Sequence, residues 1–418
     1  TFSPSKSVSV YYAALLAAGQ TEAAAAVAAA HDRAVETAMA YAEEHVAYTR
    51  TGYHGRTRDG RSVGRYEAGE GLIWTKWRHS TNRESEPQLH THVALLNRLK
   101  TLSDGVIRAL DGRGLRPVKE AIATAYERAL EEELVAVRGV VFADRGDGKA
   151  REIVGVDPEL CQEASTRRKQ TLEKAEELTA QYVARNGREP DAAARKAILH
   201  DAAMATRRPK EGVQGPAAVA AWGESRAERL VATLEAVADA AEAAAVAGHP
   251  DTVAGLRLDP SVPEQRAALL AAAVDDVQRE YATWTLGNLV AAIDRRLVAV
   301  PGDAAGQARP RYLEALAREA VAAGNAHGVL QLTAPDPVAV PEELRRQGDG
   351  RSVFRPHIDE RYATAGQLAA EERIVAGARQ LTAPAIAGPE LELLRVELAA
   401  AGLGADQVEA VAGIVSSG

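Results

Sequence analysis

Residues 77–92 read WRHSTNRESEPQLHTH and hold three of the ten histidines of the chain. His90 and His92 lie in a run of alternating residues that predicts a β-strand, and side chains two apart on a strand point to the same face. His79 ends an earlier strand-like run, and the polar residues 82–87 are long enough as a turn to place the two strands side by side. The pattern therefore predicts three imidazole rings on one face of two neighbouring strands.

Three imidazoles in this arrangement are a candidate metal site. Neutral imidazole is the commonest metal ligand in proteins, and three ring nitrogens on one side of an ion leave positions open for a substrate. The competing interpretation is that His90 and His92 are half-exposed surface rings, the commoner fate of an isolated His-x-His pair. The third ring, His79, favours the metal site, although spacing alone leaves both interpretations open.

The composition bounds the class of protein. A chain of 418 residues is too long for one ordinary core, which predicts two or three domains. Alanine dominates the 46% apolar content, with only three Phe and two Met, and this favours a helix-rich chain. A single cysteine, Cys161, excludes a disulfide framework and a cysteine-based zinc site. With no uncharged apolar run near 18 residues and no signal segment, we expect a cytoplasmic protein.

The net charge of −8 hides a basic segment around the histidines. Residues 50–119 contain 14 Lys and Arg against 7 Asp and Glu, a net of +7, so the rest of the chain carries −15. Phosphate contacts supply most of the non-specific affinity for nucleic acids, so a basic segment around a metal site indicates a polyanionic substrate. A solvated basic loop without a ligand is the alternative.

Helical and strand-like patterns mix along the first 175 or so residues. The expected elements are helices over residues 4–19, 21–50, 117–138 and 157–186, a turn-rich segment over 52–69, strands within 72–99, and a hairpin over 139–156. This order predicts an α+β unit of long helices packed on an antiparallel sheet. Further along, helical patterns alternate with Pro and Gly breaks, and the sequence contains no Walker A glycine loop, so no nucleotide site is expected.

Flanking phrases turn the histidine pattern into a family resemblance. The chain begins TFSPSKSVS at residues 1–9, and residues 79–92 read HSTNRESEPQLHTH. Together they resemble the TrwC/TraI-type conjugative relaxases, the MobF class of the HUH endonucleases, whose motif is a histidine, ten residues and then His-x-His. Asn82 and Glu86 stand where the family usually has Ser and Asp, and both keep a polar turn.

The resemblance implies a domain organisation. Residues 1–180 would form an HUH-type relaxase domain, incomplete at its N-terminus. Residues 181–300 would form a helical linker region, and residues 301–418 the N-terminal region of a helicase, truncated before its ATP-binding motif. We then expect the full-length protein to carry an ATP-dependent DNA helicase as well.

The resemblance also implies a chemistry. Relaxases of this class nick one DNA strand at a plasmid transfer origin through a tyrosine that becomes joined to the 5′ phosphate. His79, His90 and His92 would hold Mg²⁺ or Mn²⁺ in function, and Zn²⁺ or Ni²⁺ in the isolated protein, because nitrogen ligands do not favour Mg²⁺. The implied partners are single-stranded DNA with an origin-of-transfer hairpin and the relaxosome and coupling proteins of a conjugation system. The nucleophilic tyrosine is expected upstream of Thr1, so the fragment is predicted to bind metal and DNA without completing the reaction.

Smaller predictions concern single residues. The candidate phosphate contacts are Lys6, Arg50, Lys76, Arg78 and Arg83, each with a solvated or salt-bridged side chain as its alternative. Trp74 and Trp77 fall on opposite faces of one strand, so at most one faces the metal, where core packing is favoured over base stacking. Tyr11 and Tyr12 are expected to pack against the sheet, and the other histidines, such as His31, to be structural or exposed.

Two other functions stay open. One is a non-catalytic DNA-binding fragment whose metal only stabilises the fold. The other is a three-histidine hydrolase that uses metal-bound water, with Glu84 or Glu86 as the general base. The hydrolase predicts DNA cleavage without a covalent protein–DNA adduct.

Overall fold

The computed structural model describes most of the chain and shows a mixed α+β fold, as predicted. The described residues are 1–52, 55, 64–145, 151–207, 209, 215–247, 259–297, 308–334, 336, 339–346, 349–357, 359–379 and 385–416. Most of the turn-rich segment predicted over residues 52–69 and the turn of the predicted hairpin therefore lie outside the described residues.

Helices alternate with short strands in the first part of the chain, and helices dominate the rest. The helices are α1 (Lys6–Ala17), α2 (Thr21–Val46), α3 (Leu115–Arg138), α4 (Pro158–Glu163), α5 (Thr166–Asn186), α6 (Ala192–Ala205), α7 (Pro216–Glu224), α8 (Ala227–Ala247), α9 (Pro263–Glu280), α10 (Leu286–Arg296), α11 (Ala308–Val321), α12 (Ala365–Arg379), α13 (Pro389–Ala400) and α14 (Ala405–Ser416). The strands are β1 (Tyr48–Thr51), β2 (Arg65–Glu70), β3 (Trp74–Thr81), β4 (Pro87–Leu95), β5 (Leu99–Thr101), β6 (Ile107–Arg108), β7 (Phe142–Asp144), β8 (Arg151–Ile153), β9 (Val329–Gln331) and β10 (Tyr362–Thr364).

The strands pair antiparallel, as predicted, in one larger sheet and three separate pairs within the described residues. β1, β2, β5 and β6 make a four-stranded sheet, while β3–β4, β7–β8 and β9–β10 are separate pairs. We call the β3–β4 pair the histidine ribbon. Its register sets His79 opposite His90 and Trp77 opposite His92. The backbone of Phe2 adds a bridge along the ribbon by exchanging hydrogen bonds with Thr91 at 2.9 and 2.8 Å.

The second helix, α2, is the support on which the ribbon and α3 pack. Alanines such as Ala30, Ala34 and Ala38 are fully buried on it, and side chains this small let neighbouring backbones approach closely. α2 ends at Val46 and not at Arg50 as predicted, because residues 48–51 pair with β2 instead. Tyrosine and threonine, which supply three of those four residues, fit a half-buried strand better than a helix.

A buried group of charges ties α3 to later parts of the chain. We call it the α3 ion-pair cluster: Arg128, Glu131, Arg151, Asp294 and Arg309. Asp294 on α10 lies 3.1 Å from Arg128 Nε and 2.9 Å from Arg309 Nη2 on α11. Glu131 accepts a 2.7 Å hydrogen bond from Arg151 Nη1 on β8. Because buried charges need partners, this cluster fixes four elements against each other.

The hydrophobic core follows the same path, from Val8 in α1 to Tyr362 in β10. Trp284 is fully buried and stacks on Tyr362 with ring centroids 5.3 Å apart. Packing therefore crosses both boundaries of the predicted division at residues 180 and 300, and that division stays a prediction. None of the helices in the described residues is long and apolar enough to cross a membrane.

Candidate functional site

Three imidazole rings meet on one face of the histidine ribbon. β3 carries His79 and β4 carries His90 and His92. The ring centroids are 5.1 Å apart for His79 and His90, 5.4 Å for His79 and His92, and 5.1 Å for His90 and His92. The structure thus brings together the three residues that the spacing predicted, through cross-strand pairing and the two-residue period of β4.

The histidine-bearing face of the ribbon is open to solvent. His92 is exposed, and His79 and His90 are partly buried. Trp77 lies on the same face, because it is opposite His92 and two residues before His79, and it is 53% exposed. Core packing was the favoured prediction for this indole, and the structure shows that the prediction was wrong.

Hydrogen bonds set the tautomer of the central ring. His90 Nδ1 lies 2.9 Å from the carbonyl oxygen of Gln88, and a carbonyl only accepts, so Nδ1 carries the proton. Nε2 is then the atom with a lone pair in the neutral ring. Burial lowers the pKa of His90, and the neighbouring His79 and His92 lower it further against the opposing effect of the Gln88 carbonyl. A neutral ring with a fixed tautomer is the form that ligates metals.

The rings as they stand touch each other without converging on a point. Within the described part of the chain, no group of three or more His, Cys, Asp or Glu side chains has the arrangement of a metal site. The rings of His79 and His90 lie at an interplanar angle of 22°, while the ring of His92 is nearly perpendicular to both.

His31 on α2 contacts the opposite face of the ribbon. Thr91 lies between His90 and His92 and points to the opposite face, where its hydroxyl lies 2.8 Å from His31 Nε2. The other nitrogen of His31 lies 2.7 Å from the hydroxyl of Tyr126 on α3. His31 is fully buried, and burial, together with Arg78, His90 and Lys76, lowers its pKa to about 3.

The predicted DNA contacts on the ribbon lie on its other face. Lys76 donates a 2.6 Å hydrogen bond to Glu36, and Arg78 donates one of 2.5 Å to Asp32. Both carboxylates are on α2, which that face of the ribbon covers. These two basic residues therefore serve as ties to α2 in this structure, and phosphate contact by them stays a prediction.

The remaining predicted DNA contacts are spread over the molecule. The amine of Lys6 donates to the carbonyl oxygens of Pro87, at 3.1 Å, and Ala164, at 2.8 Å, and burial lowers its pKa. Arg50 lies on β1, and Arg83 lies in the turn between the ribbon strands. The structure gathers the histidines and does not gather the five basic residues.

Asn82 and Glu86, the two residues that depart from the family motif, contact each other. The Asn82 side chain accepts hydrogen bonds from the backbone of Glu84, at 2.9 Å, and Glu86, at 3.0 Å, and donates one of 2.6 Å to the Glu86 carboxylate. Glu86 is buried and also accepts from the Thr166 backbone at 3.2 Å. The pair holds the turn that sets the ribbon register, so Glu86 has a structural role rather than that of an exposed base.

The tyrosines of α1 are packed inside, as predicted. Tyr11 and Tyr12 are both buried, and the Tyr11 hydroxyl lies 3.2 Å from Arg138 Nε on α3. Burial raises the pKa of Tyr12, an effect that Arg78 opposes. A hydroxyl packed inside the protein cannot reach a phosphate of the DNA, so neither residue is placed to attack one.

An α+β protein with three clustered histidines on an open ribbon resembles the conjugative relaxases. The TrwC relaxase family model matches residues 1–230, more than half of the chain. The chain belongs to the TrwC relaxase family.

Solved structures of relaxases are similar to part of the chain. A conjugative relaxase TrwC in complex with mutant oriT DNA is 30% identical, with 54% of this chain and 71% of that chain covered. A metal-bound TrwC complex with oriT DNA is also 30% identical, covering 55% and 70%. A TrwC complex with a 27-mer carrying the recognition hairpin and cleavage site is 29% identical, covering 55% and 72%. All three have a TM-score of 0.42, and family membership rests on the family match. No curated protein sequence matches the chain.

Proposed function

We propose that this chain supplies the phosphate-orienting site of a conjugative relaxase, a DNA strand transferase that nicks single-stranded DNA at a plasmid transfer origin. The observation that carries the proposal is the meeting of His79, His90 and His92 on one open face of a TrwC-family chain. We also propose an attached helicase, DNA with an origin hairpin as substrate, and relaxosome proteins as partners. These parts of the proposal rest on the family match alone.

The donor set fits a divalent metal ion. The three rings are mutually adjacent, and His90 has its proton fixed on Nδ1 by Gln88, so its Nε2 is available as a ligand atom. Mg²⁺ or Mn²⁺ would serve in function, while Zn²⁺ or Ni²⁺ suits three nitrogen ligands better. When bound, the ion would act as a Lewis acid on a phosphate oxygen.

The protein groups position the phosphate for an in-line displacement. A tyrosine oxygen forms a bond to phosphorus, the bond from phosphorus to the 3′ oxygen breaks, and the tyrosine proton is released. The 5′ phosphate ends on the protein, and a 3′ hydroxyl leaves. Because His31 holds the Thr91 side chain from the other face and the Phe2 backbone pairs with Thr91 along the strand edge, the strand between His90 and His92 stays fixed while the substrate binds. Tyr11 and Tyr12 do not serve as nucleophile while α1 is folded.

The turn between the ribbon strands argues against the hydrolase, because it contains the buried Glu86. It needs an available carboxylate as general base, and Glu86 is buried with hydrogen bonds from Asn82 and Thr166. Glu84 remains its one named candidate. No specific observation favours the non-catalytic alternative over the relaxase.

Metal titration of the 418-residue chain tests the site. Calorimetry with Mn²⁺ and with Zn²⁺ is expected to show one equivalent bound, and His90→Ala and His92→Ala are each expected to abolish it. His200→Ala is the matched control, because His200 is an exposed histidine on α6, outside the ribbon. Binding that survives both ribbon substitutions would overturn the assignment of the ligands.

Adduct formation tests the reaction. The full-length protein is incubated with Mn²⁺ and single-stranded DNA from its transfer origin. The products are then separated on a denaturing gel. We expect a covalent protein–DNA adduct that His90→Ala and His92→Ala remove and His200→Ala keeps. Cleavage without an adduct would replace the proposal by the hydrolase, and DNA binding without cleavage would replace it by the non-catalytic DNA-binding function.

A further inference from the structure

We infer that Trp77 is a stacking platform for a base of the single-stranded DNA, beside the phosphate that the three histidines orient. The inference rests on the proposed function and deepens it. Imidazoles and a metal ion hold the phosphate of a nucleotide and leave its base free to rotate. An aromatic plane on the same face would fix the base as well.

The register of the ribbon places the indole beside the triad. Trp77 is the cross-strand partner of His92, and side chains that are directly opposite in an antiparallel pair have Cβ atoms about 5 Å apart. Trp77 is also two residues before His79 on the same strand and therefore points to the same face. It is thus next to His92 across the ribbon and next to His79 along β3. A nucleotide whose phosphate lies over the rings has its base within reach of the indole.

The exposure of Trp77 has no structural explanation in the fold. The indole is 53% exposed, whereas Trp284 is fully buried and Trp74, three residues earlier on the opposite face, packs against the core. Burial of an aromatic ring is among the largest gains in folding. Trp77 therefore forgoes a contribution to stability in order to present its ring on the face that carries the histidines.

The surroundings favour a nucleobase over a protein partner. Thr75 and Ala94, which continue the same face, are small exposed side chains that separate the indole from the exposed Ile73 and Leu96. The indole is therefore the one aromatic plane beside the three imidazoles among the described residues of this face. A protein interface would need a contiguous apolar patch of several hundred Å² around it. A base has one flat face and polar edges, and base stacking on aromatic side chains is tolerant of sequence.

Tryptophan fluorescence tests the inference on the 418-residue chain. The probe is an oligothymidylate of roughly 16 nucleotides, the upper site size of a single-strand-binding fold, titrated in the presence of Mn²⁺. Stacking is expected to quench the emission of the unaltered protein and of Trp74→Phe, and Trp77→Phe is expected to lose that quenching. Trp74→Phe is the matched control because it removes an indole from the other face of the same strand.

Affinity gives a second readout that a structural role would not reproduce. Trp77→Ala is expected to weaken oligothymidylate binding about tenfold, the equivalent of about 1.4 kcal/mol. An abasic oligonucleotide of the same length should bind the unaltered protein and Trp77→Ala equally. Melting temperatures confirm that each variant is folded.

The outcomes separate the two proposals. If the unaltered protein binds oligothymidylate and Trp77→Ala binds it equally well, the stacking inference fails and the proposed function stands. If Trp77→Ala weakens the abasic oligonucleotide to the same extent, Trp77 supports the ribbon rather than a base, which also overturns the inference. If the unaltered protein does not bind oligothymidylate with Mn²⁺ present, the stacking inference fails, while the proposed function is decided separately by adduct formation on origin DNA.

Discussion

The two faces of the histidine ribbon use neighbouring residues in opposite ways. On one face, His79 and His90 meet His92 in the open. On the other face, Lys76 and Arg78 are tied to acidic side chains of α2. Residues that are neighbours in the sequence, such as Arg78 and His79, therefore lie on opposite faces. One face carries the candidate metal site and the other packs on α2. The two-residue period of a strand places alternate side chains on opposite faces. Substitutions on one face are therefore expected to change metal affinity, and substitutions on the other to change stability.

The largest expected effect is on metal affinity at the open face. If His90 is a ligand as proposed, His90→Ala removes it. Since loss of a group that only supports a ligand already costs 10- to 100-fold, we then expect the Mn²⁺ affinity to fall by more than about 100-fold. The free energy of unfolding of the metal-free protein should change little, because the ring is only partly buried. Calorimetry and urea denaturation measure the two quantities. A large loss of stability with metal affinity retained would reverse the assignment of this face.

The next largest effect is on stability at the supporting face. His31→Ala removes the partner of two buried hydroxyls, on Thr91 and Tyr126, and should lower the free energy of unfolding by about 2–3 kcal/mol. Urea denaturation checks this, with His200→Ala as an exposed control that should stay within about 0.5 kcal/mol. A change in His31→Ala no larger than in the control would mean that the two hydrogen bonds do not hold the ribbon.

The same residue predicts a pH dependence. The pKa of His31 is about 3 in the folded protein, against about 6.5 when unfolded. Between these values the unfolded chain binds a proton that the folded chain does not, so stability falls as the pH drops from 6.5 towards 3. The expected slope is at most about 1.4 kcal/mol per pH unit. Unfolding free energies of the unaltered protein and His31→Gln over this range give the difference in slope, and equal slopes would contradict the prediction.

The smallest expected effect concerns the basic residues of the supporting face. The ion pairs of Lys76 and Arg78 are partly exposed, so replacing either residue by Ala should change stability by less than about 1 kcal/mol. If both residues serve α2, the salt dependence of single-stranded DNA binding will not change. If either residue binds a phosphate of the DNA, its replacement will instead reduce the slope of log K against log salt by about 0.7. Titrations at several salt concentrations decide between the two.

The sequence predicted the site well where the geometry is local. His79, His90 and His92 are joined by a short turn and the two-residue period of a strand, and both can be read without knowing the rest of the fold. The same period placed Trp74 and Trp77 on opposite faces. Local rules therefore recovered the three rings and their shared face.

Local rules do not show contacts with distant elements. Lys6 donates to a carbonyl oxygen 158 residues away, and His31 meets Thr91 60 residues away. DNA contact by Lys6 stays a prediction. Spacing does not show which face of the ribbon α2 covers, and for that reason the exposure of Trp77 was mispredicted. Glu86 was a candidate base because no local signal revealed its contact with Thr166.

The α3 ion-pair cluster has a consequence for dissecting the protein. The family match ends at residue 230, whereas two of the charges that compensate α3 come from residues Asp294 and Arg309. A polypeptide cut after residue 230 would lose Asp294 and Arg309 from the cluster, and would expose the side of α3 that α10 and α11 cover, while Arg128 would keep its ion pair with Glu131. We therefore expect a polypeptide that ends with the family match to be less stable than one that retains α10 and α11.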